Sequence, residues 1–190
     1  MKEKKLKIST WVINILLLIL DMVVIVYNIV NNNYDRMVIA ALLYPTMFIP
    51  YLLDKTKYRI SYKYKFLYSL FMFFGYFLGS IINLYDKIFW YDLFVHAMSG
   101  VFTLILAYYI LNNSKSKNTN GVIKFLYCIG FVALVAVSWE IIEFIVDNVF
   151  SLNTQHNLDT GVADTMGDMI AGLFGGLIGY IFLKREDFKD

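Results

Sequence analysis

Six apolar runs dominate this sequence, and each is long enough, or nearly so, to cross the hydrocarbon core of a bilayer. They lie at about 8–30, 37–53, 66–84, 92–111, 122–150 and 164–183. A helix rises about 1.5 Å per residue, so about 20 apolar residues cover a core about 30 Å thick. The runs are continuous rather than alternating, which fits helices and not the strands of a barrel. Hydrophobic residues make up 59% and charged residues 17% of the chain, whereas a soluble domain carries about 25% charge. The fold predicted is therefore all-α: a polytopic membrane helix bundle of six transmembrane helices, with 1–190 as a single integral membrane domain. The second run is short and contains Pro45 and Pro50, which predicts a kink. The fifth is long enough to tilt or to project from the bilayer. The polar link at 112–121 reads as a loop between spans.

Basic residues give the orientation. Lys2, Lys4, Lys5 and Lys7 precede the first run. Lys55, Lys57, Arg59, Lys63 and Lys65 lie between the second and third. Lys115 and Lys117 lie between the fourth and fifth, with Lys124 just inside the fifth, and Lys184, Arg185 and Lys189 follow the sixth. Fifteen of the seventeen basic residues thus fall on one side, leaving Arg36 and Lys87 on the other. Basic loops stay in the cytoplasm, so both termini are expected inside. Phe89, Trp90 and Tyr91 mark the outer edge, and Tyr58, Tyr62, Tyr64 and Tyr68 the inner one. The first run is too long for a signal-peptide core and is followed by Asn31, Asn32 and Asn33 rather than a cleavage site, so it reads as an uncleaved helix. The lone Cys128 reads as a small buried hydrophobe.

Acidic residues show the opposite bias. Asp92, Glu140, Glu143, Asp147, Asp164 and Asp168 occupy the outer halves of the last three runs, together with His96. Asp92 and His96 are four apart, as are Asp164 and Asp168, and Glu140, Glu143 and Asp147 are three and four apart. Each set shares one helical face. His96 and Asp168 each fall roughly 6 Å below the start of their helices. Glu143 falls roughly 10 Å above the end of its own, with Glu140 deeper. Three helices can therefore present carboxylates and an imidazole at about one level.

Ionisable groups at membrane depth are costly unless compensated. No Lys or Arg in these half-spans supplies a counter-charge. The remedies are a bound cation, protonation of some carboxyls, or a water-filled cleft open to the outside. Oxygen ligands with one imidazole suit Mg²⁺, Mn²⁺, Ca²⁺ or Zn²⁺. On this reading His96, Glu143 and Asp168 are ligands, Asp164 and Asp147 are ligands or support them, and Glu140 is a general acid or base. The plainer alternative makes Asp92 and Asp164 helix-start residues that favour the dipole, Asp147 an interfacial group, and His156 and Asp159 solvated loop residues. Asp21 either joins the cluster or pairs with a polar neighbour such as Asn83.

Gly172, Gly175, Gly176 and Gly179 in the sixth run, and Gly75 and Gly79 in the third, let helices approach closely. Gly172 continues the face of Asp164 and Asp168, and Gly100 that of Asp92 and His96. The pattern Asp92-x3-His96-x3-Gly100, Trp139-Glu140-x2-Glu143-x3-Asp147 and Asp164-Thr165-x2-Asp168 resembles the YjdF-like bacterial inner-membrane proteins over about 91–179. It is more distantly similar to the VanZ-like membrane proteins, from which it departs in having Glu143 where Gln is usual and no Arg before Asp164. The resemblance implies the same topology, a polar site that includes Asp92, Gly100 and Thr165, and a place in the bacterial cytoplasmic membrane. The VanZ-like proteins add a link to the cell envelope.

Three functions follow from these residues. The leading one is a cation-binding site on the outer-leaflet side of the last three helices, acting by metal-assisted hydrolysis or transfer on an envelope lipid or head group. The others are a proton- or ion-coupled transporter, since intramembrane acids and His serve as proton relays, and a non-catalytic envelope factor. The partners expected are membrane lipids. Nucleic acid is not expected, because the basic residues are already explained by topology.

Overall fold

The computed structural model describes residues 2–32, 44–55, 60–114, 118–155 and 160–187. These residues form helices and no strands. Seven helices are present among them: α1 (Lys2–Val30), α2 (Ile49–Leu52), α3 (Tyr62–Met72), α4 (Leu84–Lys87), α5 (Tyr91–Asn112), α6 (Gly121–Phe150) and α7 (Val162–Asp187). Five stretches are long and apolar enough to cross a membrane: Glu3–Val30, Tyr62–Ile81, Tyr91–Asn112, Gly121–Phe150 and Val162–Leu183. They correspond to the expected first, third, fourth, fifth and sixth spans.

The expected second span falls partly on residues outside those described. Its described portion, with the residues just after it, is a chain of short pieces: a 3₁₀ turn at Tyr44–Phe48, α2, and a second 3₁₀ turn at Leu53–Lys55. The two prolines explain the breaks, because each removes a backbone donor and restricts the residue before it. Pro50 stands within the first turn of α2, where the missing donor costs nothing. His156 and Asp159, expected as loop residues, lie outside the described residues.

The chain divides into two units, Met1–Phe89 and Trp90–Asp190. In the first, α1 packs on α3, on the stretch after it and on the Tyr44–Phe48 turn. Leu17, Met47, Met72 and Tyr76 form its apolar centre. α3 continues into Phe73–Ile81, where the helix widens to π winding; the Ile82 amide, for example, donates to the Phe77 carbonyl. Lys65 is fully buried and ion-paired with Asp54, its ammonium between the rings of Tyr51 and Tyr62. Asp21 is also fully buried, and neither of its carboxylate oxygens has a hydrogen-bond partner. The pairing expected with a residue such as Asn83 is not formed; Asn83 instead starts α4 with a left-handed backbone.

The second unit is the three-helix set α5, α6 and α7, in which every pair is in contact and α5 and α7 pack most extensively. Leu104, Ala107, Cys128 and Val132 are its apolar centre, so Cys128 is the buried small residue its sequence context predicts. The distribution of polarity is the reverse of a soluble protein's. Ile141, Phe144, Ile145, Ile170, Phe174 and Phe182 face outward, while Glu140, Gln155 and Asp168 are buried. Such an exterior is stable in lipid and not in water.

Candidate functional site at the start of helices α5 and α7

α5 starts at Tyr91 and α7 at Val162, which places Asp92 and Asp164 in the first turns. His96 and Asp168 follow one turn later on the same faces. One further turn along stand Gly100 and Gly172, where the two backbones touch. A methyl added to Gly100 would lie 1.9 Å from the Gly172 carbonyl oxygen, and one on Gly175 would lie 1.9 Å from that of Ala97. Only glycine fits such an approach. The contact fixes the relative height of the two helices and brings their polar faces together one turn above.

At that level His96 Nε2 lies 3.4 Å from Asp92 Oδ1 and 4.0 Å from Asp168 Oδ2. One ligand atom from each of Asp92, His96 and Asp168 lies within 4.8 Å of the others. The remaining acids stand around this trio. Glu143 is close enough to His96 to act on it electrostatically. Glu140 couples to His96 and Asp92, and Asp164 and Glu140 couple to Asp168. Asp168 and Glu140 are each more than nine-tenths buried, yet Asp168 Oδ1 and Glu140 Oε1 have no hydrogen-bond partner. Buried carboxylate oxygens are rarely left so, and each needs an explanation, such as a proton, a bound ion or a chemical role.

α6 supplies the third wall. The Trp139 indole donates to Glu143 Oε1 at 2.8 Å. Asp147 has a different role: its Oδ1 accepts from the Thr154 backbone amide at 2.7 Å and hydroxyl at 2.6 Å, and its Oδ2 from the Gln155 amide at 3.0 Å. α6 ends at Ser151 in a left-handed conformation, with the Leu152 amide bonded back to the Asp147 carbonyl. The chain thereby folds over the end of its own helix. Gln155 is carried inward, where its side-chain amide donates to the Glu140 carbonyl at 3.2 Å, to Glu140 Oε2 at 3.5 Å and to Thr165 Oγ1 at 3.4 Å.

Of the residues singled out from the sequence, Asp92, His96, Glu140, Glu143, Asp164 and Asp168 gather in one place. Thr165 meets them through Gln155, and Gly100 lies beneath them. The described contacts of the Asp147 carboxylate are with the loop. Gln155 and Thr154 were not anticipated. They lie outside every helical run, so periodicity carried no signal for them; the cue was a buried Glu140 in need of a donor.

An imidazole and two carboxylates within this radius can share a divalent cation, and a further buried carboxyl can give or accept a proton beside it. A family model described as a predicted membrane protein (DUF2238) matches residues 12–186. An uncharacterised protein of Thermotoga maritima is 32% identical over 133 residues, which cover 67% of this chain and 66% of that relative. The chain thus spans just under two thirds of that relative's length. No solved structure matches the chain.

Proposed function

This chain belongs to the DUF2238 family of predicted membrane proteins, and on that premise we propose that it binds a divalent cation between Asp92, His96 and Asp168 and uses it on an envelope lipid. The observation that carries the reading is the convergence of these three ligand atoms within 4.8 Å beside two buried carboxylate oxygens without partners. A cation satisfies such oxygens and offsets the gathered negative charge, which no Lys or Arg among the described residues of α5 to α7 does. The imidazole favours an ion of the Zn²⁺ type over Mg²⁺ or Ca²⁺. Glu143 and Asp164 complete or support the ligand set. Asp147 holds the loop that delivers Gln155, and Gln155 orients Glu140 as the general acid or base. A cation held by Asp92, His96 and Asp168 would supply the charge stabilisation that hydrolysis or transfer of the head group needs.

The same reading places the protein in a bacterial cytoplasmic membrane as one domain of six spans, with both termini inside and the site toward the outer leaflet. The segregation of fifteen of seventeen basic residues supports that orientation. The residue pattern is consistent with a YjdF-like protein.

Elemental analysis of the protein, purified without chelators, tests the site. We expect about one bound divalent ion per chain, lost in His96→Ala and Asp168→Asn and retained in Asp86→Asn. Wild-type protein free of metal would overturn the cation. Metal-loaded liposomes that leave an envelope-lipid extract unchanged, with wild type and Glu140→Gln alike, would overturn the chemistry and leave a binding protein.

A further inference from the structure

The first unit holds a buried acid of its own. Asp21 sits within a helix of 29 residues, nine residues short of its end and so roughly 13 Å from it along the axis. Thr10, Asn14, Leu17, Asp21 and Asn28 are all buried, and their spacings of four, three, four and seven put them on one face. Leu17 belongs to the apolar centre with Met47, Met72 and Tyr76, and Ile25, one turn beyond Asp21, packs on the same centre. Asp21 therefore faces the interior of the unit, between two residues anchored there.

The other polar members of this face are satisfied. Thr10 donates to the Leu6 carbonyl at 2.7 Å, Asn28 to the Val24 carbonyl at 2.8 Å, and Asn14 to the Tyr51 hydroxyl at 2.7 Å. Asp21 alone among them has both oxygens unpartnered. The titratable groups on the elements packed against α1 do not neutralise it. On α3, Lys65 is committed to Asp54 and the rings around it, and the Tyr68 hydroxyl donates to the Thr46 carbonyl at 2.8 Å. Tyr62 of α3 receives the ammonium groups of Lys7 and Lys65 on its ring, and Lys63 lies over Tyr64. On the π stretch, Tyr76 is buried with its own hydroxyl unpartnered.

A carboxylate without a counter-ion in this setting needs a positive charge of its own. A hard cation such as Mg²⁺ or Ca²⁺ needs several oxygen ligands, and the apolar centre joined by Leu17 and Ile25 offers only the Tyr76 hydroxyl and that of Tyr68, the latter committed to the Thr46 carbonyl. A proton requires only the carboxyl itself. We propose that Asp21 is a proton-binding site and that it exchanges its proton with the aqueous phase.

The test uses the full chain in liposomes and a hydrophobic carbodiimide, which adds to protonated carboxyls from within the lipid. Mass analysis of the peptides locates the adduct, so modification of Asp21 is read apart from that of Glu140 or Asp168. The expected result is an adduct on Asp21 whose rate falls about tenfold per pH unit once the carboxyl ionises and is unchanged by excess sodium. Asp21→Asn should lose that adduct and keep any on α6 and α7. The wild-type measurement decides by itself if the variant does not fold. No adduct at any pH, a rate that ignores pH, or protection by sodium would each overturn the proposal. Metal analysis of the same Asp21→Asn protein separates the two sites, since its cation content should match the wild type.

Discussion

Glu143 illustrates how one side chain can serve both the packing and the site. One of its oxygens accepts from the Trp139 indole four residues earlier, a part-buried bond formed within a single helix. Losing one partner of a buried pair costs about 1–3 kcal/mol, whereas an isosteric acceptor preserves most of it. Trp139→Phe should therefore lower stability by about that amount, while Glu143→Gln should unfold close to the wild type in thermal melts in detergent. A Glu143→Gln protein as destabilised as Glu143→Leu would mean that the charge, and not the indole bond, holds this residue. The sequence showed the acids of this region because the spacings of Asp92, His96, Glu140, Glu143, Asp164 and Asp168 are helical and their depths agree. It could not show Gln155, since a loop's path depends on how Asp147 folds it back and not on any repeat.

At the scale of elements, the helices were legible and their distortions were not. Continuous apolar runs mark α1, α5, α6 and α7 almost to their ends, because in lipid every backbone donor must be satisfied within the segment. The widening at Phe73–Ile81 has no such mark, since a π turn reads as apolar as an α turn; its glycines and aromatics hint only at packing. The fragmentation around Pro45 and Pro50 goes further than the kink expected from two prolines. Glycine was more informative where spacing placed it beneath the acids. Gly100→Ala and Gly175→Ala both drive a methyl into a carbonyl oxygen of the facing helix, and overpacking of this kind costs about 1–3 kcal/mol or more. Gly172→Ala meets only ordinary contacts, 3.6 Å from Ala136 Cβ and 3.7 Å from the His96 carbonyl. Thermal unfolding should show the first two variants clearly destabilised and the third near the wild type. Metal binding should weaken in Gly100→Ala even where the protein folds, because the added methyl forces the two helices away from each other just below His96.

Among the described residues, apolar side chains face outward while polar ones are buried, which is what places the protein in a membrane; the proposed six crossings rest on the apolar runs and their proposed direction on the charge pattern. Both can be checked by single cysteines in a Cys128→Ala background, probed in intact cells with a membrane-impermeant thiol reagent. A cysteine at Phe89, which is 93% exposed, should react from outside. Cysteines at Lys4 and Asn118 should react only after the cells are opened. Reaction of either from outside would reverse the orientation and move the proposed site to the inner leaflet. The meeting of Gly100 with Gly172 has a final consequence for the molecule as a machine. A joint made of bare main chain has no rotamers to rearrange and no methyl to shuffle aside, so it tolerates one register and no sliding. The imidazole and carboxylates one turn above are therefore aligned by main chain alone, before anything meets them.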